Sequence, residues 1–98
     1  MRNLEDIKKI LIEHKKILRN KYKTKKIGIF GSYVTGEKNE LKHDLDILVE
    51  FDDGITLLKF VEMENYLSDI LGVKVDLVMK NALKPRIGKH ILQEVIYI

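Results

Sequence analysis

The run from Asp44 to Met79 constrains the fold more than any other part of this chain, because it reads as strand, helix and strand in direct succession. "DLDILVEF" at 44–51 is rich in aliphatic residues and is broken by "DDG" at 52–54. Helical spacing follows from about Thr56 to Leu71, with Leu57, Phe60, Val61, Leu67 and Leu71 expected inward and Gly72 as the stop. "VKVDLVM" at 73–79 then alternates Val73, Val75, Leu77 and Met79 against Lys74, Asp76 and Val78, which is a strand pattern. Upstream, Leu4, Ile7, Leu11, His14 and Leu18, supported by Ile10 and Ile17, recur at helical spacing after an Asn3 cap, which predicts an amphipathic helix from 4 to about 22. "KIGIF" at 26–30 predicts a short strand that ends at the Gly31 turn, and Pro85 opens a last helix on which Ile87, Ile91 and Val95 share a face with Leu92 and Ile96. The expected class is α/β: one small mixed sheet with helices packed on it, in a single domain spanning 1–98.

Composition excludes several chemistries. The chain has no cysteine, so disulfides, thiolate zinc sites and a Cys nucleophile are ruled out, and any metal must be held by oxygen or imidazole. No run approaches the roughly 18 apolar residues of a membrane span, and the charged amphipathic N-terminus is not a signal peptide, so a cytoplasmic protein with no membrane association is expected. The net charge of +3 conceals an asymmetry: residues 1–26 carry ten Lys or Arg against three acids, whereas 37–76 carry eleven acids against four bases. The basic flank has the character of a solvated helix face, and the acidic centre suits a site that gathers cations.

Within that centre, strand alternation places Asp44, Asp46, Leu48 and Glu50 on one face and Leu45, Ile47, Val49 and Phe51 on the other. Neighbouring carboxylates repel, and a divalent cation removes the repulsion. Mg²⁺ is usually bound by one or two carboxylates together with the substrate's own phosphates, so the D-x-D pair points to Mg²⁺ and a nucleoside triphosphate. The "GS" turn after "IGIF" supplies a complementary element: Gly31 allows a tight turn and close approach, and Ser32 offers a hydroxyl and an amide to phosphate oxygens. Asp76 adds a third carboxylate, in a mid-strand position that is unfavourable unless it is exposed at a sheet edge or engaged by a cation. Its bland reading is an edge-strand residue that discourages aggregation. Three acids around two metal ions are the signature of phosphoryl or nucleotidyl transfer. His43, beside Asp44, is read as solvent-exposed, and Tyr97 as a core or terminus-anchoring residue.

The ordered set "GSYVTGE", "DLDILVEF", "KVDLV" and "ALKPRIGKHILQEVIYI" resembles the minimal nucleotidyltransferases of the DNA polymerase β superfamily, antitoxins to HEPN-domain ribonuclease toxins, over about Ile27 to Ile98. The resemblance implies a polymerase-β-like nucleotidyltransferase fold. It implies further that Gly31 and Ser32 form the phosphate-binding turn, that Asp44 and Asp46 are the metal-binding pair, and that Asp76 is the third catalytic, metal-binding acid. The reaction it implies is transfer of AMP from ATP to a tyrosine of a cognate HEPN toxin, with two Mg²⁺ ions, in a hetero-oligomer with that toxin and without direct nucleic-acid binding. The alternative is an antitoxin that neutralises its partner by binding alone. Here eleven residues separate the Gly-Ser pair from Asp44 where the family has ten, and Thr35 and His43 stand where the family usually has Arg and Ser. The missing guanidinium removes a bidentate phosphate clamp, for which Lys38 or Lys42 offers only point charge.

Overall fold

The computed structural model describes residues 3–36 and 44–98. Helix α1 (Leu4–Tyr22) is capped as expected, the Asp6 amide donating to Asn3 Oδ1 at 2.9 Å, and it buries Ile7, Leu11, Leu18 and Tyr22. Strand β1 (Thr24–Phe30) leads into a single-turn helix, α2 (Ser32–Thr35). Strand β2 (Leu45–Phe51), helix α3 (Leu57–Leu71) and strand β3 (Val75–Met79) follow. After a 3-10 turn at Lys80–Ala82, helix α4 (Pro85–Glu94) leads to strand β4 (Ile96–Tyr97).

The four strands form one mixed sheet in the order β3-β2-β1-β4. β1 runs antiparallel to both β2 and β4, whereas β2 and β3 are parallel with α3 as their crossover. The expected α/β class with a small mixed sheet is therefore the observed one. Leu45, Ile47 and Val49 of β2 join Ile27 and Ile29 of β1 in a core completed by α1 and by Met63, Leu67 and Leu71 of α3. That leaves the Asp46 side of β2 facing away from the main core.

Two expectations change. In α3 the buried stripe is Met63, Leu67 and Leu71 with Phe60 packed beside it, while Leu57 is 78% exposed and Val61 is 42% exposed. Val61 lies one residue, about 100° of rotation, from Phe60 and so falls off that stripe, and Leu57 lies in the first turn. The last helix stops at Glu94 rather than running on through Val95 and Ile96. Val95 turns extended (φ −63°, ψ 137°), and Ile96 and Tyr97 pair with Ile29 and Gly28 as a fourth strand. Ladder bonds to β1 outcompete another helical turn there, helped by Gly28, where a Cβ would meet Val95 Cγ2 at 2.6 Å. Tyr97 is thereby anchored at an edge strand, 43% exposed beneath the Lys26 ammonium, rather than in the core.

Candidate active site

The carboxylates are gathered by register. Asp46 stands directly opposite Asp76 across the parallel β2·β3 pair, and Asp44 lies two residues before Asp46, immediately ahead of β2. The entry to β2 is pinned by the Leu45 amide, which donates to the Lys74 carbonyl at 2.8 Å. Because strand side chains alternate, Asp44, Asp46 and Asp76 share the sheet face turned away from the main core. Asp44 is also approached by Lys74, whose Nζ lies 3.9 Å from Oδ2.

The Gly-Ser turn closes on the same face. Phe30, the last residue of β1, pairs with Asp46, and Gly31 follows with φ 78° and ψ −153°, a conformation essentially confined to glycine. A Cβ on Gly31 would overlap Asp46 Oδ2 and come within 3.0 Å of its Cγ. Gly31 is therefore required on two counts, backbone conformation and the approach of the Asp46 carboxylate to its Cα. The Gly31 carbonyl accepts from the Val34 and Thr35 amides, which forms α2 and places Ser32 at the lip of the carboxylate face. The Gly31 amide donates to Glu94 Oε1 at 3.1 Å. Of the two residues singled out for phosphate, Ser32 is thus the one with donors to offer, and Gly31 acts through its missing side chain.

Sequence reasoning did not single out three neighbours of this site. Tyr33, half-buried in α2, has its phenol pushed above the ordinary value of 10, first by burial and then by the Asp44 charge. Its place after the Gly-Ser pair was the available signal. Lys74 was visible only as the polar partner in an alternating strand, and Glu94 becomes visible only once β4 is known. Thr35 ends α2 and is exposed. Lys38, Lys42, His43 and the rest of the gap after Gly36 lie outside the described residues.

The donor chemistry fits Mg²⁺: the carboxylates are hard oxygen ligands, and a nucleotide-borne ion needs only one or two of them beside its phosphates. Among the described residues, no three metal-ligating side chains already converge on a common point.

An acidic sheet face bounded by a glycine-dependent Gly-Ser turn, on a mixed four-stranded α/β scaffold, defines a nucleotidyltransferase architecture. Comparison with known proteins agrees. The nucleotidyltransferase domain family matches residues 11–98. The protein adenylyltransferase MntA of Thermococcus cleftensis is 52% identical over 98 residues, covering 100% of this chain and 98% of the relative. A solved structure assigned as a minimal nucleotidyltransferase superposes with a TM-score of 0.80 at 33% identity, covering 97% of this chain and 95% of that one. A toxin-antitoxin crystal structure with AMP-PNP aligns with a TM-score of 0.71 at 26% identity, covering 91% of this chain and 69% of that chain. The chain belongs to the nucleotidyltransferase domain family, among the minimal nucleotidyltransferases named as protein adenylyltransferases.

Proposed function

We propose that this chain, a single nucleotidyltransferase domain over 1–98, is a Mg²⁺-dependent antitoxin enzyme of the cytoplasm. It transfers AMP from ATP to a tyrosine of a cognate HEPN ribonuclease toxin, with which it forms a hetero-oligomer. The observation that carries the reading is the direct opposition of Asp46 and Asp76 on a face that also holds Asp44 and the Gly31–Ser32 turn. The toxin-antitoxin crystal structure with AMP-PNP supports both the nucleotide and the partner class.

Each residue then has a role. Ser32 donates to phosphate oxygens at the lip of the face. Asp44, Asp46 and Asp76 would hold Mg²⁺, whose charge offsets that of the phosphates and stabilises the charge developing at the α-phosphorus. Asp76 takes the proton as the tyrosine oxygen bonds to the α-phosphorus and the bond to the bridging oxygen breaks, releasing pyrophosphate. A base is needed because a phenol ionises only near pH 10.

Asp76 lies on an edge strand, so its bland reading as an aggregation guard must be weighed. That edge is already covered: the Val75 amide donates to Ser68 Oγ at 3.0 Å and the Leu77 amide to Glu64 Oε2 at 2.9 Å, both from α3. A further guard between two blocked rungs adds little, which supports the catalytic reading. The deciding experiment incubates the chain with labelled ATP, Mg²⁺ and the product of the adjacent gene, tested as the candidate toxin. Label recovered on a tyrosine of the partner is the expected result, and a tight complex that never acquires label would leave inhibition by binding as the function.

A further inference from the structure

The backbone groups of alternate β1 residues point toward β4. The Ile27 carbonyl accepts from the Ile98 amide at 2.9 Å, and the antiparallel register runs through Gly28 opposite Tyr97 and Ile29 opposite Ile96. Continued by two residues, that register sets Gly31 opposite Glu94. A regular ladder would place a backbone carbonyl there to accept from the Gly31 amide. The chain instead leaves the strand at Val95, and Glu94 is the last residue of α4, so no backbone carbonyl is in place. The Glu94 side chain fills the gap, its Oε1 accepting from the Gly31 amide at 3.1 Å across 63 residues of sequence.

We infer that Glu94 is a positioning residue, whose carboxylate serves as the last rung between β1 and the α4–β4 junction and thereby fixes the turn that presents Ser32 to the nucleotide. The geometry separates this role from that of a carboxylate occupying a phosphate subsite. Continued from Ile29 opposite Ile96, the ladder aims the Gly31 amide toward β4, where it meets Glu94 Oε1, whereas strand alternation turns Asp44, Asp46 and Asp76 to the sheet face. Reach, rather than charge, is what the position requires. Glutamine keeps an Oε1 acceptor at the same distance from the backbone, whereas aspartate keeps the charge one methylene short.

The inference rests on the reading of Ser32 as a phosphate ligand, so its test has one arm that needs no catalysis. Amide hydrogen exchange at Gly31, followed by NMR on the full chain, should accelerate about tenfold in Glu94→Asp and in Glu94→Ala and stay near the unaltered rate in Glu94→Gln. In AMP transfer to the partner toxin, the KM for ATP should rise about tenfold in Glu94→Asp with kcat little changed, and Glu94→Gln should restore it. Thermal melts establish that each variant is folded, and the Asp and Gln pair decides the matter if Glu94→Ala is not. Unchanged Gly31 exchange in Glu94→Asp, equal damage from Gln and Asp, or a lowered KM in Glu94→Ala would each overturn the assignment. If the unaltered chain transfers no AMP at all, the proposed function fails while the exchange arm still decides the role of Glu94.

Discussion

Asp46 and Asp76 face each other residue for residue across two parallel strands, with Leu45 opposite Val75 and Ile47 opposite Leu77 on either side. The flanking pairs explain how the fold tolerates it. Leu45, Ile47, Val75 and Leu77 are all buried in the core, so the register of β2 against β3 is set by apolar packing on one face. The opposite face carries the charges that this register brings together. Like charges directly opposed in a sheet are destabilising, and a cation bound between them, as in the Mg²⁺ site we propose, would remove that cost.

Substitution of Asp76 separates chemistry from folding. Asp76→Asn should leave ATP binding largely intact, because the D-x-D pair and Ser32 remain. AMP transfer should fall by at least about 100-fold, the usual size of general-base assistance. Mass spectrometry of the partner after incubation with ATP and Mg²⁺ reads the outcome. Near-normal transfer combined with poorer solubility would return Asp76 to the role of an edge guard.

The cover over that edge makes its own prediction. Glu64→Ala removes the acceptor of the Leu77 amide, which should cost about 1–3 kcal/mol of stability through an unsatisfied donor. Ser68→Ala removes both the bond from the Val75 amide and the hydroxyl's own bond to the Glu64 carbonyl, each 3.0 Å long. Thermal or urea unfolding should therefore show both variants destabilised, with hydrogen exchange faster in β3 than in β1. Unchanged midpoints would mean that water replaces these side chains without loss.

Much of this was legible in the chain. Period-two alternation in "DLDILVEF" put Asp44 and Asp46 on one face, and the apolar run "KIGIF" ended at Gly31 as expected. Pairing was not legible, since alternation says which face a residue takes but not which strand lies beside it. The opposition of Asp46 and Asp76 therefore emerges only from the sheet order. The tail misled for a related reason: Ile91, Val95 and Ile96 suit a helix face as well as a strand, and only β1 supplies the ladder that settles Ile96 as β. Glu94 stayed hidden with it, because its value lies in a register that short-range pattern cannot show.

Alkaline pH offers a separate check on the lip of the site. The Tyr33 phenol is held above its ordinary value by burial and by the Asp44 charge, so the folded state retains this proton where the unfolded chain would release it. The stabilisation is fully present below pH 10 and is lost as pH rises through the higher folded value. Ultraviolet titration should resolve a phenol that ionises above the ordinary range and disappears in Tyr33→Phe. The same substitution should flatten the alkaline fall in unfolding free energy, and an unaltered high-pH transition would show that another tyrosine is responsible.

Gly31→Ala tests the most crowded approach in the site. A methyl group there meets two obstacles, the backbone at φ 78° and the Asp46 carboxylate against the Gly31 Cα. Backbone strain of this kind costs about 1–3 kcal/mol. The carboxylate can escape only by rotating away from the turn, which removes it from the place where it would meet a nucleotide-borne cation. Both costs fall on one residue but read out differently: strain lowers the melting temperature at any Mg²⁺ concentration, whereas displacement of Asp46 weakens Mg²⁺-dependent ATP binding. Asp46→Asn keeps the side-chain shape and removes the charge, so it should weaken the same binding without the loss in melting temperature. Calorimetric titration of ATP with and without Mg²⁺ on both variants makes the comparison. If Gly31→Ala is destabilised yet binds Mg²⁺ and ATP as the unaltered chain does, the approach of Asp46 to the turn is a packing feature and the metal-binding assignment of that carboxylate falls.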